Sequence, residues 1–186
     1  ILAPLIRKSE ENEGEKVLFG FKTVNVFDIS QTEGEPLPSF CSQLTGNDPE
    51  LLQQLMKVAT DLGIPTTMRE IEHNGYCRFA GDRAVEIVIN SGLTSLQQCK
   101  TLAHELGHAI LHSEEDYRKY SQRSLKELEA ESVAFCTLNY FEIDTSGYSF
   151  GYISEWANQE DAIQQLKSSG ERIQKAVCQI LEALKQ

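Results

Sequence analysis

With 186 residues, 40% of them apolar and 24% charged, the chain has material for one ordinary domain with a real core, or one domain and an appendage. Its net charge of -11, from 28 acidic and 17 basic residues, argues against a broad phosphate-binding surface on this segment, because nucleic-acid affinity rests on clustered Lys and Arg. No apolar run approaches the roughly 18 residues of a membrane-spanning helix, and the apolar start Ile1 to Ile6 has no basic leader.

In chain order, residues 1 to 8 read as a strand ending in a basic pair, followed by a charged turn-prone stretch. Val17 to Ile29 is rich in Phe, Val and Thr and predicts one strand or two. Residues 30 to 49 hold three prolines and three acidic side chains and read as a connector. The expected division is residues 1–45 as an N-terminal strand segment and 46–186 as the main domain. Asp48 and Pro49 supply an N-cap and first helical position for a helix carrying Leu51, Leu52, Leu55, Met56, Val58 and Ala59, stopped at Gly63.

An antiparallel group is expected next: Thr66 to Ile71, a turn at Asn74-Gly75, then Tyr76 to Ala80. Val85 to Ile89 follows the Gly81-Asp82 turn as a last strand, broken at Asn90 to Gly92. Thr94 or Ser95 then caps a helix with Leu96, Cys99, Leu102, Ala103, Leu106, Ile110 and Leu111, Gln97 or Gln98 completing a capping box. A further helix is expected over about Ser124 to Phe141. The tail from Ser149 reads as two or three short amphipathic helices around Trp156, Ile163, Leu166, Ile173 and Val177. The five cysteines (Cys41, Cys77, Cys99, Cys136, Cys178) are odd in number and form no CxxC pair, which predicts reduced thiols and a cytoplasmic setting.

His104-Glu105-Leu106-Gly107-His108 is an HExxH pattern in the middle of the capped helix. Residues four apart stack on one helix face, so the two imidazoles can converge on one Zn²⁺ while Glu105 takes a proton from metal-bound water. Chance would supply the pattern in roughly one chain of this composition in a hundred. A catalytic zinc ordinarily has a third protein ligand and an open fourth position. The next helix offers Glu127, Glu129 and Glu131. A helix advances about 100° per residue, so Glu127 and Glu131 share a face, while Glu129 is turned about 160° away and is expected to see solvent. One of the facing pair is expected to ligate and the other to orient an imidazole from outside, so that removing Glu129 should hardly affect the metal. His112, one turn past His108, is a candidate outer partner, with a half-exposed helix-end histidine as the preferred reading. Tyr148 and Tyr152 are candidates to stabilise an oxyanion, against the alternative of packing around Trp156. His73, beside Asn74-Gly75, is expected to be exposed.

The segments HELGHAILH, KELEAESVAF and IDTSGYSFGYISEW resemble the ImmA/IrrE-like zinc peptidases, and more closely the peptidase half of ArdC-type antirestriction proteins, over about residues 50 to 160. The resemblance implies an α+β fold with a minigluzincin-like core: a small mixed sheet, the HExxH helix, a Glu-bearing helix, and C-terminal helices. It implies Glu127 as third ligand and Glu131 as outer partner. The Met-turn of metzincins is absent. Residues 17 to 38 look like the end of an ArdC-type single-strand-DNA-binding domain, so residues 1–45 are expected to be the end of a truncated upstream domain. DNA binding is then expected only through what lies upstream.

Val85 to Ile89 would be the edge against which an extended peptide substrate pairs. The implied function is zinc-dependent endopeptidase action on a regulator or a phage- or plasmid-related protein, with no membrane partner. The competing reading is a non-proteolytic antirestriction or DNA-protecting protein whose zinc domain is structural.

Overall fold

The computed structural model describes residues 2–8, 16–27, 31, 33, 43–113, 123–146 and 162–185. The chain divides into two compact units, Ile1–Pro38 and Ser39–Gln186. In the first, strand β1 (Leu2–Lys8) pairs antiparallel with β2 (Lys16–Thr23), from Leu2 opposite Thr23 to Lys8 opposite Lys16, with a register shift between Leu5 and Ile6.

The second unit begins with α1 (Pro49–Asp61), nucleated as its sequence dictates. The Asp48 carboxylate accepts the Leu51 backbone N–H at 3.0 Å, Pro49 occupies the first turn, and Leu51, Leu55, Val58 and Ala59 are buried along one stripe. Three strands follow: β3 (Thr66–Arg69), β4 (Gly75–Ala80) and β5 (Arg83–Asn90). Their order is β3-β5-β4, with β3 parallel and β4 antiparallel to β5. The sheet is therefore mixed, as expected, but two expectations about it fail.

The hairpin joins β4 to β5 through Gly81 (φ 61°), as the Gly81-Asp82 turn predicts, but Thr66–Arg69 never pairs with β4. The cause is Asn90, whose side-chain amide donates to the carbonyls of Ile71 and His73 at 2.7 and 3.1 Å. Those bonds carry the chain across the end of β5, so Asn74-Gly75 turns into a far edge rather than back onto β3. Consequently the run Val85 to Ile89 is not an edge. It lies in the central strand, which is why Ile87, Val88 and Ile89 are all fully buried rather than alternating. The edge beside the next helix is β4.

That helix, α2 (Ser95–Leu111), starts at Thr94, whose hydroxyl oxygen accepts the Gln97 N–H at 3.3 Å. Neither glutamine closes the expected capping box. The Gln97 side-chain Oε1 accepts the Leu44 N–H at 2.9 Å, and the Gln98 side-chain amide donates to the carbonyls of Asn90 and Ser91. Both side chains thus tie the helix start to neighbouring segments. Cys99, Leu102 and Leu106 pack from α2 into a core shared with Leu55, Ile87 and Ile89.

Next, α3 (Arg123–Tyr140) lies between α2 and α4 (Ala162–Ala183). Within the described residues the tail is this one long helix, not several short ones, because Ile173, Ala176 and Ile180 keep a continuous buried stripe. Trp156 lies outside the described residues. No helix among the described residues is long and apolar enough to cross a membrane.

Gly75 locks the start of β4 beneath α2. A Cβ there would lie 2.7 Å from Thr101 Cγ2 and 2.8 Å from the Val88 carbonyl oxygen, and backbone cannot yield cheaply. Gly75→Ala is expected to destabilise the protein by about 1–3 kcal/mol, read as a lower midpoint in guanidinium unfolding. An unchanged midpoint would contradict this packing.

Candidate metal centre

His104 and His108 project from α2 toward α3, and Glu127 projects back from the first turns of α3. The ligating-type atoms form a triangle. His104 Nε2 and His108 Nε2 are 3.0 Å apart, and Glu127 Oε2 lies 3.4 Å from the first and 3.6 Å from the second. Ligands at about 2.0–2.1 Å on a tetrahedral ion are separated by about 3.3–3.4 Å. The triangle therefore has the size of one face of such a coordination shell, and these three side chains can hold a divalent ion.

Hydrogen-bond polarity supports the fit. A carboxylate only accepts, so the 3.1 Å contact from His104 Nδ1 to Glu131 Oε2 puts the hydrogen of neutral His104 on Nδ1. Its Nε2 lone pair then faces the triangle. Two bare imidazole nitrogens and a carboxylate pointing at one another are repulsive unless a cation or a proton lies among them. Burial disfavours charge on His104, but the hydrogen bonds to Glu127 and Glu131 outweigh it and hold its pKa at about 9. Burial lowers His108 to about 4, so only one of the pair charges readily. Burial works against ionised Glu127 as well, yet its bonds to the two histidines hold the carboxyl well below the usual range.

The close approach of α2 and α3 makes the triangle possible. A Cβ on Gly107 would lie 3.0 Å from Ala130 Cα and 3.2 Å from its carbonyl oxygen. Glycine inside the motif and alanine across from it let the two backbones nearly touch, so a glutamate three residues before Ala130 reaches both histidines.

Glu105 is 7% exposed and points to the sheet side of α2, where the Cys77 backbone N–H on β4 donates to it. Burial raises its pKa to about 7, against the pull of His104. A carboxylate in that range can accept a proton and return it near neutral pH.

Glu131, 1% exposed, accepts from Lys100 Nζ at 2.6 Å as well as from His104, and despite burial its carboxyl is held low by these partners. His112 is buried, not half-exposed: its Nδ1 is 3.0 Å from His108 Nδ1 and its Nε2 is 2.9 Å from Glu129 Oε2. Glu129 does not see solvent either. It is 1% exposed and also meets Arg172 Nη1 at 3.1 Å. The helical-wheel expectation failed because α4 covers the side of α3 that the wheel left to water. Sequence reasoning assigned Glu129 to solvent and missed Lys100 and Arg172. Lys100 stands four residues before His104, a spacing that put it on the motif's own face; Arg172 had no local signal. His73 is exposed, and Tyr148 and Tyr152 lie outside the described residues.

A family model described as the IrrE N-terminal-like domain, Peptidase M78, matches residues 59–159, a span that holds all three triangle residues. An uncharacterized protein of Bacillus anthracis is 26% identical over 95% of the chain, which spans only about a third (33%) of that relative's length. Two crystal structures of the antirestriction ArdC protein from plasmid R388 are similar. The Mn(II)-bound one has a TM-score of 0.50 at 20% identity, covering 99% of this chain and 72% of that one. The metal-free one has a TM-score of 0.47 at 22% identity, covering 100% and 69%.

Gly107→Ala is expected to leave the helical content intact while pushing α3 away and weakening divalent-metal affinity by about tenfold or more. Chelator competition reads the change. Wild-type affinity in a folded variant would show that the close approach does not set the site.

Proposed function

The chain belongs to the Peptidase M78 family of IrrE N-terminal-like domains, and from that premise we propose that it is a zinc-dependent endopeptidase acting on a protein or peptide substrate. The observation that carries the reading is the triangle of His104, His108 and Glu127 with a buried, non-ligating glutamate beside it. Two neutral imidazoles and one carboxylate are a borderline-soft donor set that suits zinc and leaves one position open for water. Zinc held by these three residues would lower the pKa of its water to about 7 and would polarise the scissile carbonyl.

The chain's own groups do the rest. Glu105 accepts the water proton as the oxygen attacks the peptide carbon, and delivers it to the leaving amine nitrogen as the C–N bond breaks. Its raised pKa suits both halves of that exchange. The edge of β4 is the strand against which an extended substrate would pair, in place of Val85 to Ile89. Main-chain pairing there favours unfolded or looped protein segments over any one side chain, and we take the target to be a regulator or a phage- or plasmid-related protein.

Tyr148 and Tyr152 stay as candidates for oxyanion stabilisation. Cys77, Cys99, Cys136 and Cys178 are free thiols, which favours a cytoplasmic setting. The acidic balance gives DNA little footing on this segment.

Similarity to the Mn(II)-bound antirestriction protein raises a second reading, antirestriction by binding with a structural metal. Glu105 separates the two. A structural site has no use for a buried carboxylate that stands beside the metal without being one of its ligands. Glu105→Gln is expected to keep zinc stoichiometry near wild type and to lower hydrolysis of any cleaved substrate by about 10²–10⁴-fold. A variant that retains full biological effect would favour the binding reading.

A further inference from the structure

We infer that Glu129, clamped by Arg172 of the C-terminal helix, is a positioning residue that acts through His112 to aim His108 at the metal. This rests on the metal site proposed above and adds to it a second line of support that reaches α4.

The hydrogen bonds have only one self-consistent direction once His108 ligates through Nε2. The hydrogen of neutral His108 must then sit on Nδ1. His112 Nδ1, 3.0 Å away, must accept it, because two N–H groups cannot face each other at that distance. The hydrogen of neutral His112 is therefore on Nε2, where it donates to the Glu129 carboxylate at 2.9 Å. Glu129 spends its other oxygen on Arg172 Nη1 at 3.1 Å, and the Ser169 hydroxyl donates to the carboxylate too. Arg172 Nη2 donates to the Leu111 carbonyl at 2.6 Å, holding the last turn of α2, next to His112. His108, His112, Glu129 and Ser169 are buried, and the guanidinium is half-exposed.

The two imidazoles of the site are thus backed in the same way. Each ends on a fully buried carboxylate neutralised by a cation: His104 on Glu131 with Lys100, and His108, through one inserted imidazole, on Glu129 with Arg172. A carboxylate with 1% exposure is costly unless its partners use it fully. Here the partners form a chain leading to a ligand. Partners of this kind fix ring orientation and raise ligand basicity, and their loss typically weakens metal binding by about 10–100-fold. Glu129 should therefore matter to the metal although it never touches it, and the expectation that its removal is harmless does not hold.

The test is zinc affinity of the whole chain by chelator competition, in a double-mutant cycle, with a tautomer measurement on the unmutated protein. Glu129→Gln should weaken zinc by about 10–100-fold. In a His112→Phe background, which fills the same space but cuts the chain, the further change to Gln should cost less than about twofold, because coupled residues are non-additive. A merely structural Glu129 would lose the same amount in both backgrounds. In zinc-loaded wild type, ¹H–¹⁵N correlation of the imidazoles should show His112 neutral with its hydrogen on Nε2. A doubly protonated His112, a hydrogen on His112 Nδ1, or an unchanged affinity for Glu129→Gln would overturn the inference. Wild type that takes up no zinc would overturn the metal site itself. Zinc uptake by wild type with no effect at Glu129 would remove this chain of contacts alone.

Discussion

The near contact of two helix backbones at Gly107 and Ala130 sets everything else in this site. Two histidines on one helix can approach one another by spacing alone, but a third donor must come from another element. Glu127 has a short reach, so α3 must lie almost on the surface of α2. Glycine within the motif and alanine opposite leave no side chain to hold the helices apart. Val133, next along the same crossing, and Leu106, on α2, then join the common core, so the approach is supported by apolar burial as well as by the site.

The same closeness creates an electrostatic problem that the fold answers with paired charges. Glu105, Glu129 and Glu131 are all nearly excluded from water, and buried carboxylates are expensive unless partnered. Glu131 has Lys100 and Glu129 has Arg172, each through a direct contact. Glu105 has no such cation in direct contact among the described residues and keeps a raised pKa instead. Differences in partner, not in residue type, thus separate a carboxyl with a raised pKa from two carboxylates held low. Breaking the buried Lys100–Glu131 pair typically costs about 3–5 kcal/mol, so it ties α2 to α3, whereas the half-exposed Arg172 joins α4 to Glu129 through a weaker, solvent-screened contact.

Much of this was legible because it is local. The motif's spacing, the Asp48 and Thr94 caps and the stripe of α1 depend on residues within a turn or two of one another. The residues meeting at the triangle were marked by that periodicity, with analogy selecting Glu127 over Glu131. The failures are all non-local. Asn74-Gly75 carries a hairpin signal, but Asn90, far along the chain, redirects the loop and makes β5 central. Glu129 lies on what a single-helix projection assigns to water, and only the arrival of α4 turns that face inward. Arg172 gives no hint of its role, because its partner stands 43 residues away.

The chemistry of the site depends on which atoms would surround the metal, and X-ray absorption at the zinc edge on the zinc-loaded protein reads them directly. The arrangement predicts two imidazole nitrogens at about 2.0–2.1 Å with oxygen donors at about 2.0–2.2 Å from a carboxylate and water. Substituting Glu127 should remove one oxygen and leave both imidazoles. A third imidazole in the shell would mean that His112 ligates, and a sulfur at about 2.3 Å would bring in Cys77. Either result, or an oxygen shell unchanged in the Glu127 variant, would contradict the site described here.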